Sequence, residues 1–125
     1  MNLVDSSGWI EYLTASSNAA FFAKPLKDVE RLIVPAICIF EIFRYILRVK
    51  GKDEALQVAA QMKQGKVIPL EMSLSIEAAK LSFEFKLPMA DSIILATARG
   101  YQATLWTQDT DFKNIEGVKF IPKKR

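Results

Sequence analysis

The 125 residues contain no histidine and one cysteine, Cys38. Those two shortages remove much of the common catalytic machinery. Without histidine there is no Ser-His-Asp triad, no Cys-His pair, no HExxH zinc site and no paired-imidazole acid–base chemistry. A single thiol permits no internal disulfide and no cysteine-built zinc site. Long apolar runs are also missing. None approaches the ~20 residues of a membrane-spanning helix. The longest candidate, Leu32 to Tyr45, is interrupted by Pro35, Glu41 and Arg44. The N-terminus passes straight into Leu3-Val4-Asp5 with no basic segment of a signal peptide, so the cytoplasm is the expected location and no membrane partner is expected.

What is left narrows the chemistry. An enzyme of this composition working near neutral pH has carboxylates, Lys, Tyr or a metal held by oxygen. Oxygen ligands favour Mg²⁺ or Mn²⁺ over zinc. The formal net charge is +3, from 17 Lys+Arg and 14 Asp+Glu. If four of the acids share one site, ten face the 17 bases and the remaining surface carries +7. An acidic pocket in a basic surround suits a polyanion handled through metal ions.

Half the residues are apolar, as in a globular chain, and the length suits one domain over residues 1–125. Short apolar strands alternate with helical patterns. Strands are expected at Asn2 to Asp5, Leu32 to Val34, Val67 to Leu70, Thr104 to Trp106 and Val118 to Ile121. Ser16-Ser17-Asn18 precedes a helix to about Lys27, Pro35 opens a long one to Lys50 before Gly51, and Asp53 to Gln64 is another. Ser73 or Ser75 is the expected cap of a helix through Phe83. Pro88 and Gly100 bracket the next, and Pro122 to Arg125 form a basic tail. The alternation predicts an α/β domain, helices on both faces of a mostly parallel central sheet: a three-layer α/β/α sandwich.

Several acids fall where such a sheet presents its strand ends, the usual place for a site. Asp5 ends the first strand. Glu41 lies two turns into the helix after the second. Ile94, Leu95 and Ala98 fall three, four and seven residues after Asp91, which puts that acid on the apolar stripe of its helix. Asp109 and Asp111 follow the Trp106 strand. A buried carboxylate needs a donor, a cation or a metal. Taken singly, each acid also has an ordinary account: a cap for Asp5, ion pairing with Arg44 or Arg48 for Glu41, a solvated loop for Asp109 and Asp111. Together they match what paired divalent ions about 3.5–4 Å apart require for attack on a phosphodiester.

Three blocks carry a resemblance: LVDSSGWIEYL, IVPAICIFEIFRYILR and LPMADSIILATARGYQATLWTQDTDF. Their order and spacing resemble the PIN-domain nucleases, in particular the small VapC-type toxins of toxin–antitoxin pairs. The third block is similar to the family's ADxxIxAxA helix followed by a strand and a TxDxDF turn. The resemblance implies a PIN-like fold and an Mg²⁺- or Mn²⁺-dependent endoribonuclease acting on RNA. It implies Asp5, Glu41, Asp91 and Asp109 as the metal-binding and catalytic quartet, with Asp111 a supporting fifth acid. In that reading Asp5, Asp91 and Glu41 hold one ion, and Asp109 with Asp111 assists a second or orients water. Ser6 and Thr107 are polar neighbours, and Arg44 and Arg48 candidate contacts to substrate phosphates or to an antitoxin. A cognate antitoxin and a homodimer built on the apolar helices of residues 35–64 follow from the same likeness.

Other classes remain open. One is a PIN ribonuclease of RNA processing rather than a toxin, and another a PIN domain that binds RNA without cutting. A third is a receiver-like regulatory module, which needs an Asp at the end of its central strand. Here the third strand runs into Pro69-Leu70-Glu71 instead.

Overall fold

The computed structural model describes residues 1–124; Arg125, the end of the expected basic tail, lies outside them. The central sheet has five strands, all paired in parallel, in the order β3-β2-β1-β4-β5. These are β1 (Asn2–Val4), β2 (Leu32–Pro35), β3 (Lys66–Ile68), β4 (Thr104–Thr107) and β5 (Val118–Phe120). Six α-helices cover the sheet among the described residues: α1 (Ser6–Leu13), α2 (Ala19–Lys27), α3 (Ala36–Lys50), α4 (Lys52–Met62), α5 (Met72–Phe85) and α6 (Met89–Gly100). The architecture is the expected α/β/α sandwich.

The strand order follows from burial. Leu3, Val4, Ile33, Val34 and Leu105 are fully enclosed, so β1, β2 and β4 need partners on both edges. β3 and β5, each with exposed residues, take the sheet margins. The chain lays β2 and β3 to one side of β1, then crosses to lay β4 and β5 on the other. The reversal falls between β1 and β4, the switch point at which sheets of this kind have their crevice, at the carboxyl ends of the strands. Gly8, in the first turn of α1, makes the close packing possible. A Cβ at that position would meet Phe22 and Val4 side-chain carbons at 2.6 Å.

Local expectations differ from the structure at a few ends. The helix expected to start at Ser73 or Ser75 begins at Met72, because Glu71 already holds the extended cap conformation and Ser75 turns its hydroxyl back to the Glu71 carbonyl. Gly100 is the last residue of α6 and not a left-handed stop. The positive φ (51°) belongs to Gln102, in the turn into β4. Gly51 does stop α3 with φ 94°.

The apolar surface of residues 35–64 is mostly absorbed by the core. Ile42 and Ile46 are buried, and Ile39 and Phe43 are half-buried against them. Phe40 and Leu47 remain exposed, but the most exposed large apolar side chains are Phe83 (90 %), Met72 (79 %) and Met89 (72 %), on α5 and the start of α6.

Candidate active site

Asp5 stands where β1 gives way to α1, and it is 2 % exposed. It caps the helix: its Oδ1 accepts the Gly8 N–H at 2.9 Å. The Ser7 hydroxyl donates to the same carboxylate at 2.9 and 3.0 Å. From the neighbouring strand, the Thr107 hydroxyl donates to Oδ2 at 2.5 Å. Thr107 also accepts the Asp109 N–H at 2.9 Å, and Asp109 Oδ1 accepts the Asp111 N–H at 2.9 Å. A line of hydrogen bonds thus runs from the end of β1 through the end of β4 to the acids of the following turn.

Asp91 reaches the same place from the first turn of α6. Among the described residues, Asp91, Asp109 and Asp111 each bring one carboxylate oxygen to within 4.8 Å of the others. Asp5 and Glu41 lie outside that mutual set, although Asp5 is near enough for its charge to act on Asp91. The order of burial also differs from expectation. Asp91 is half-buried at the mouth of the crevice, and Asp5 is the deeply enclosed acid. From the next residue on, Ser92 to Ala98, α6 is buried on every face rather than along one stripe, so the enclosed part of the helix begins just past Asp91.

The electrostatics follow from burial and crowding. Burial raises the Asp5 pKa from 3.8 to about 6, with a smaller push from the Asp109 charge, against the pull of Thr107, Gly8 and Ser7. Asp91 rises from 3.8 to about 8. Burial is the largest cause, and Asp109, Asp111 and Asp5 add to it. No ion pair to either acid exists among the described residues; the two found there are Arg31–Asp28 and Lys80–Glu77. The Cys38 thiol, wholly buried beside this charge, is pushed upward as well, first by burial.

Glu41 comes from α3 and accepts the Ser6 hydroxyl at 2.5 Å. Neither Arg44 nor Arg48 pairs with it. Both are exposed, and the Arg48 guanidinium lies over the Tyr45 ring, 5.3 Å from its centre. Ser6 and Thr107 are therefore engaged with acids. Thr107 is fully enclosed, a place from which it orients neighbours rather than meets a substrate.

The PIN domain model matches residues 3–118. The chain belongs to the PIN domain family. Solved PIN-like structures agree in fold across nearly the whole length. A toxin–antitoxin complex from Klebsiella pneumoniae superposes with a TM-score of 0.78 at 22% identity, covering 95% of this chain and 96% of that one. VapC20 of Mycobacterium tuberculosis, described as a sarcin-ricin loop cleaving toxin, gives 0.73 at 15%, covering 93% and 95%. DNA-bound VapBC from Salmonella typhimurium gives 0.73 at 13%, covering 98% of each. No curated protein sequence matches this chain.

In this PIN domain the donor set fits a hard divalent cation. All the candidate ligands are carboxylate oxygens, three of them converge, and the charge of Asp91 is opposed by burial and by Asp109, Asp111 and Asp5, with no cation paired to it among the described residues. Asp5-Ser6-Ser7-Gly8 reads in the sequence as a turn with good N-cap residues, and Asp5 does cap α1; the sequence did not show that Ser7 and Gly8 both donate to that carboxylate. Sequence reasoning also passed over the pairing of Glu11 and Asn18 with Gln108, which lies 97 and 90 residues away and leaves no local trace.

Proposed function

We propose that this PIN-domain chain is a divalent-metal-dependent endoribonuclease and the toxin of a VapBC-like toxin–antitoxin pair. The observation that carries the reading is the meeting of Asp91, Asp109 and Asp111 at the crevice between β1 and β4. Mg²⁺ or Mn²⁺ is the ion the oxygen-only set would take. Such an ion, when bound, supplies a Lewis acid and lowers the pKa of water for attack on a phosphodiester. The chain's own residues do the rest. Asp91, Asp109 and Asp111 bind the ion. Asp5, through Thr107, holds the backbone of Asp109 in place. Glu41, oriented by Ser6, adds negative charge from α3. The exposed Arg44 and Arg48 suit RNA phosphates or the carboxylates of an antitoxin.

The toxin assignment is supported by relatives of this fold, which include toxin–antitoxin complexes and a toxin that cleaves the sarcin-ricin loop. The 125 residues are read as one domain working in the cytoplasm. Structured RNA should be cut in Mg²⁺ or Mn²⁺ and left intact in excess EDTA. Undiminished cleavage with the metal chelated sinks the mechanism. A neighbouring reading frame for a small DNA-binding protein separates a toxin from a processing nuclease.

We also read the chain as a homodimer. Phe40 and Leu47, seven residues apart on α3, and Phe83 on α5 leave apolar side chains in water that a second copy of the chain would cover. Light scattering should give a dimer mass, and Phe83→Glu with Phe40→Glu should give a monomer. A wild-type monomer at all accessible concentrations refutes this.

A further inference from the structure

We infer that Gln108, held by Glu11 and Asn18, is the positioning residue that sets the metal affinity of the Asp109–Asp111 arm. The inference rests on the metal-site reading above. Gln108 is 5 % and Asn18 2 % exposed. Buried amides are costly unless paired, and these two pair with each other, although the Asn18 Oδ1 itself has no partner. The Asn18 Nδ2 donates to Gln108 Oε1 at 2.9 Å, and Gln108 Nε2 donates to Glu11 Oε1 at 3.1 Å. Glu11 Oε2 accepts the Asn18 backbone N–H at 2.8 Å, which closes the ring. Asn18 Nδ2 also reaches the Pro122 carbonyl at 3.1 Å. Two neighbouring segments, α1 and the loop before α2, are thereby joined to the end of β4 and to the chain beyond β5.

The placement of this ring gives it a role. Thr107 and Gln108 are successive residues at a strand end, so their side chains leave in opposite directions. Thr107 is tied to Asp5, and Gln108 to Glu11 and Asn18. The backbone entering Asp109 is thereby clamped from both sides, one peptide before the first acid of the turn. Beyond the clamp the turn is held locally, by the Asp109 N–H on Thr107 Oγ1, the Asp111 N–H on Asp109 Oδ1 and the Phe112 N–H on the Asp109 carbonyl at 3.1 Å, with the buried Phe112 ring anchoring its far end. The clamp fixes the near end of that turn, from which two of the three converging carboxylates, Asp109 and Asp111, project. An apolar side chain at 108 would fill the space without fixing the direction of the turn. Groups that orient metal ligands without touching the ion typically change affinity by about 10–100-fold when removed.

Calorimetric titration of the metal-free protein with Mn²⁺, without RNA, tests this. Gln108→Met keeps the volume and removes the hydrogen bonds; it should bind Mn²⁺ about tenfold or more weakly while remaining folded by circular dichroism. Gln108→Glu sets two carboxylates against each other and should also weaken binding, although it adds negative charge beside the site. Combining it with Glu11→Gln exchanges donor and acceptor within the same ring, and affinity should recover. Charge alone predicts tighter binding by Gln108→Glu, and that result overturns the inference. So does wild-type-like affinity in Gln108→Met, or a double variant no better than Gln108→Glu. In those cases the metal site stands. If wild type itself fails to bind Mn²⁺, the metal-site reading falls and the inference falls with it.

Discussion

Asp91→Asn should make the metal-free protein more stable and at the same time remove the metal-dependent RNA cleavage proposed for it. Asp91 is surrounded by Asp109, Asp111 and Asp5, and both burial and their charges oppose its ionisation. A neutral amide of the same shape removes that repulsion, so the melting temperature should rise. Cleavage should fall by about three orders of magnitude, since losing a metal ligand forfeits several kcal/mol of transition-state stabilisation. The Mn²⁺ response should vanish with it. For wild type, Mn²⁺ at ~100 times its Kd adds about 2.7 kcal/mol, a shift of several degrees. Asp5→Asn should behave differently. Its carboxylate accepts from Ser7, Gly8 and Thr107, and an amide nitrogen cannot accept. The lost acceptor costs about 1–3 kcal/mol, but the substitution also relieves the burial of the Asp5 charge, so without metal this variant should melt close to wild type rather than well above it. Thermal melts of wild type and both variants, with and without Mn²⁺, separate the two acids. An Asp91→Asn protein that melts below wild type and still responds to Mn²⁺ rules out the shared site.

Without metal, stability should fall as pH rises from about 5 to 8, opposite to what paired carboxylates produce. The folded-state pKa of Asp5 is about 6 and that of Asp91 about 8, each raised from 3.8. Between the ordinary and the raised value the folded chain holds the proton and the unfolded chain does not. Fewer protons on the unfolded side means that stability declines with pH through that window. For Asp5, enclosed and raised by about two units, the loss is on the order of 3 kcal/mol, complete once the pH passes about 6. Asp91 extends the decline toward pH 8. The chain offers a clean measurement here: with no histidine, no side chain of ordinary pKa titrates between pH 6 and 8. Saturating Mn²⁺ should flatten or invert the slope, because the ion binds the deprotonated acids. Asp91→Asn should remove the part between pH 6 and 8. Metal-free melts that are level or rising across that range contradict the crowding of these carboxylates.

Much of this protein was decided by its local sequence. Helical periodicity, capping residues and short apolar strands act over a few residues, so the alternation of elements and the α/β/α class could be read directly. The missing histidine and the placement of acids beside strands pointed to oxygen-ligand chemistry for the same reason. Element ends were less legible where two local signals competed, as at Glu71 with Ser73 and Ser75, or at Gly100 with Gln102.

Other features depended on the tertiary structure. Nothing local shows that β4 lies against β1, yet that pairing sets Asp109 beside Asp5. The grouping of Asp91 with Asp109 and Asp111 needed the packing of α6, which left Asp91 at the mouth while Asp5 was enclosed. The bonds from Thr107 to Asp5 and from Gln108 to Glu11 join residues 102 and 97 positions apart. Such partners are chosen by which strands and helices bury one another. That choice is a property of the whole core, and no short stretch of the chain contains it.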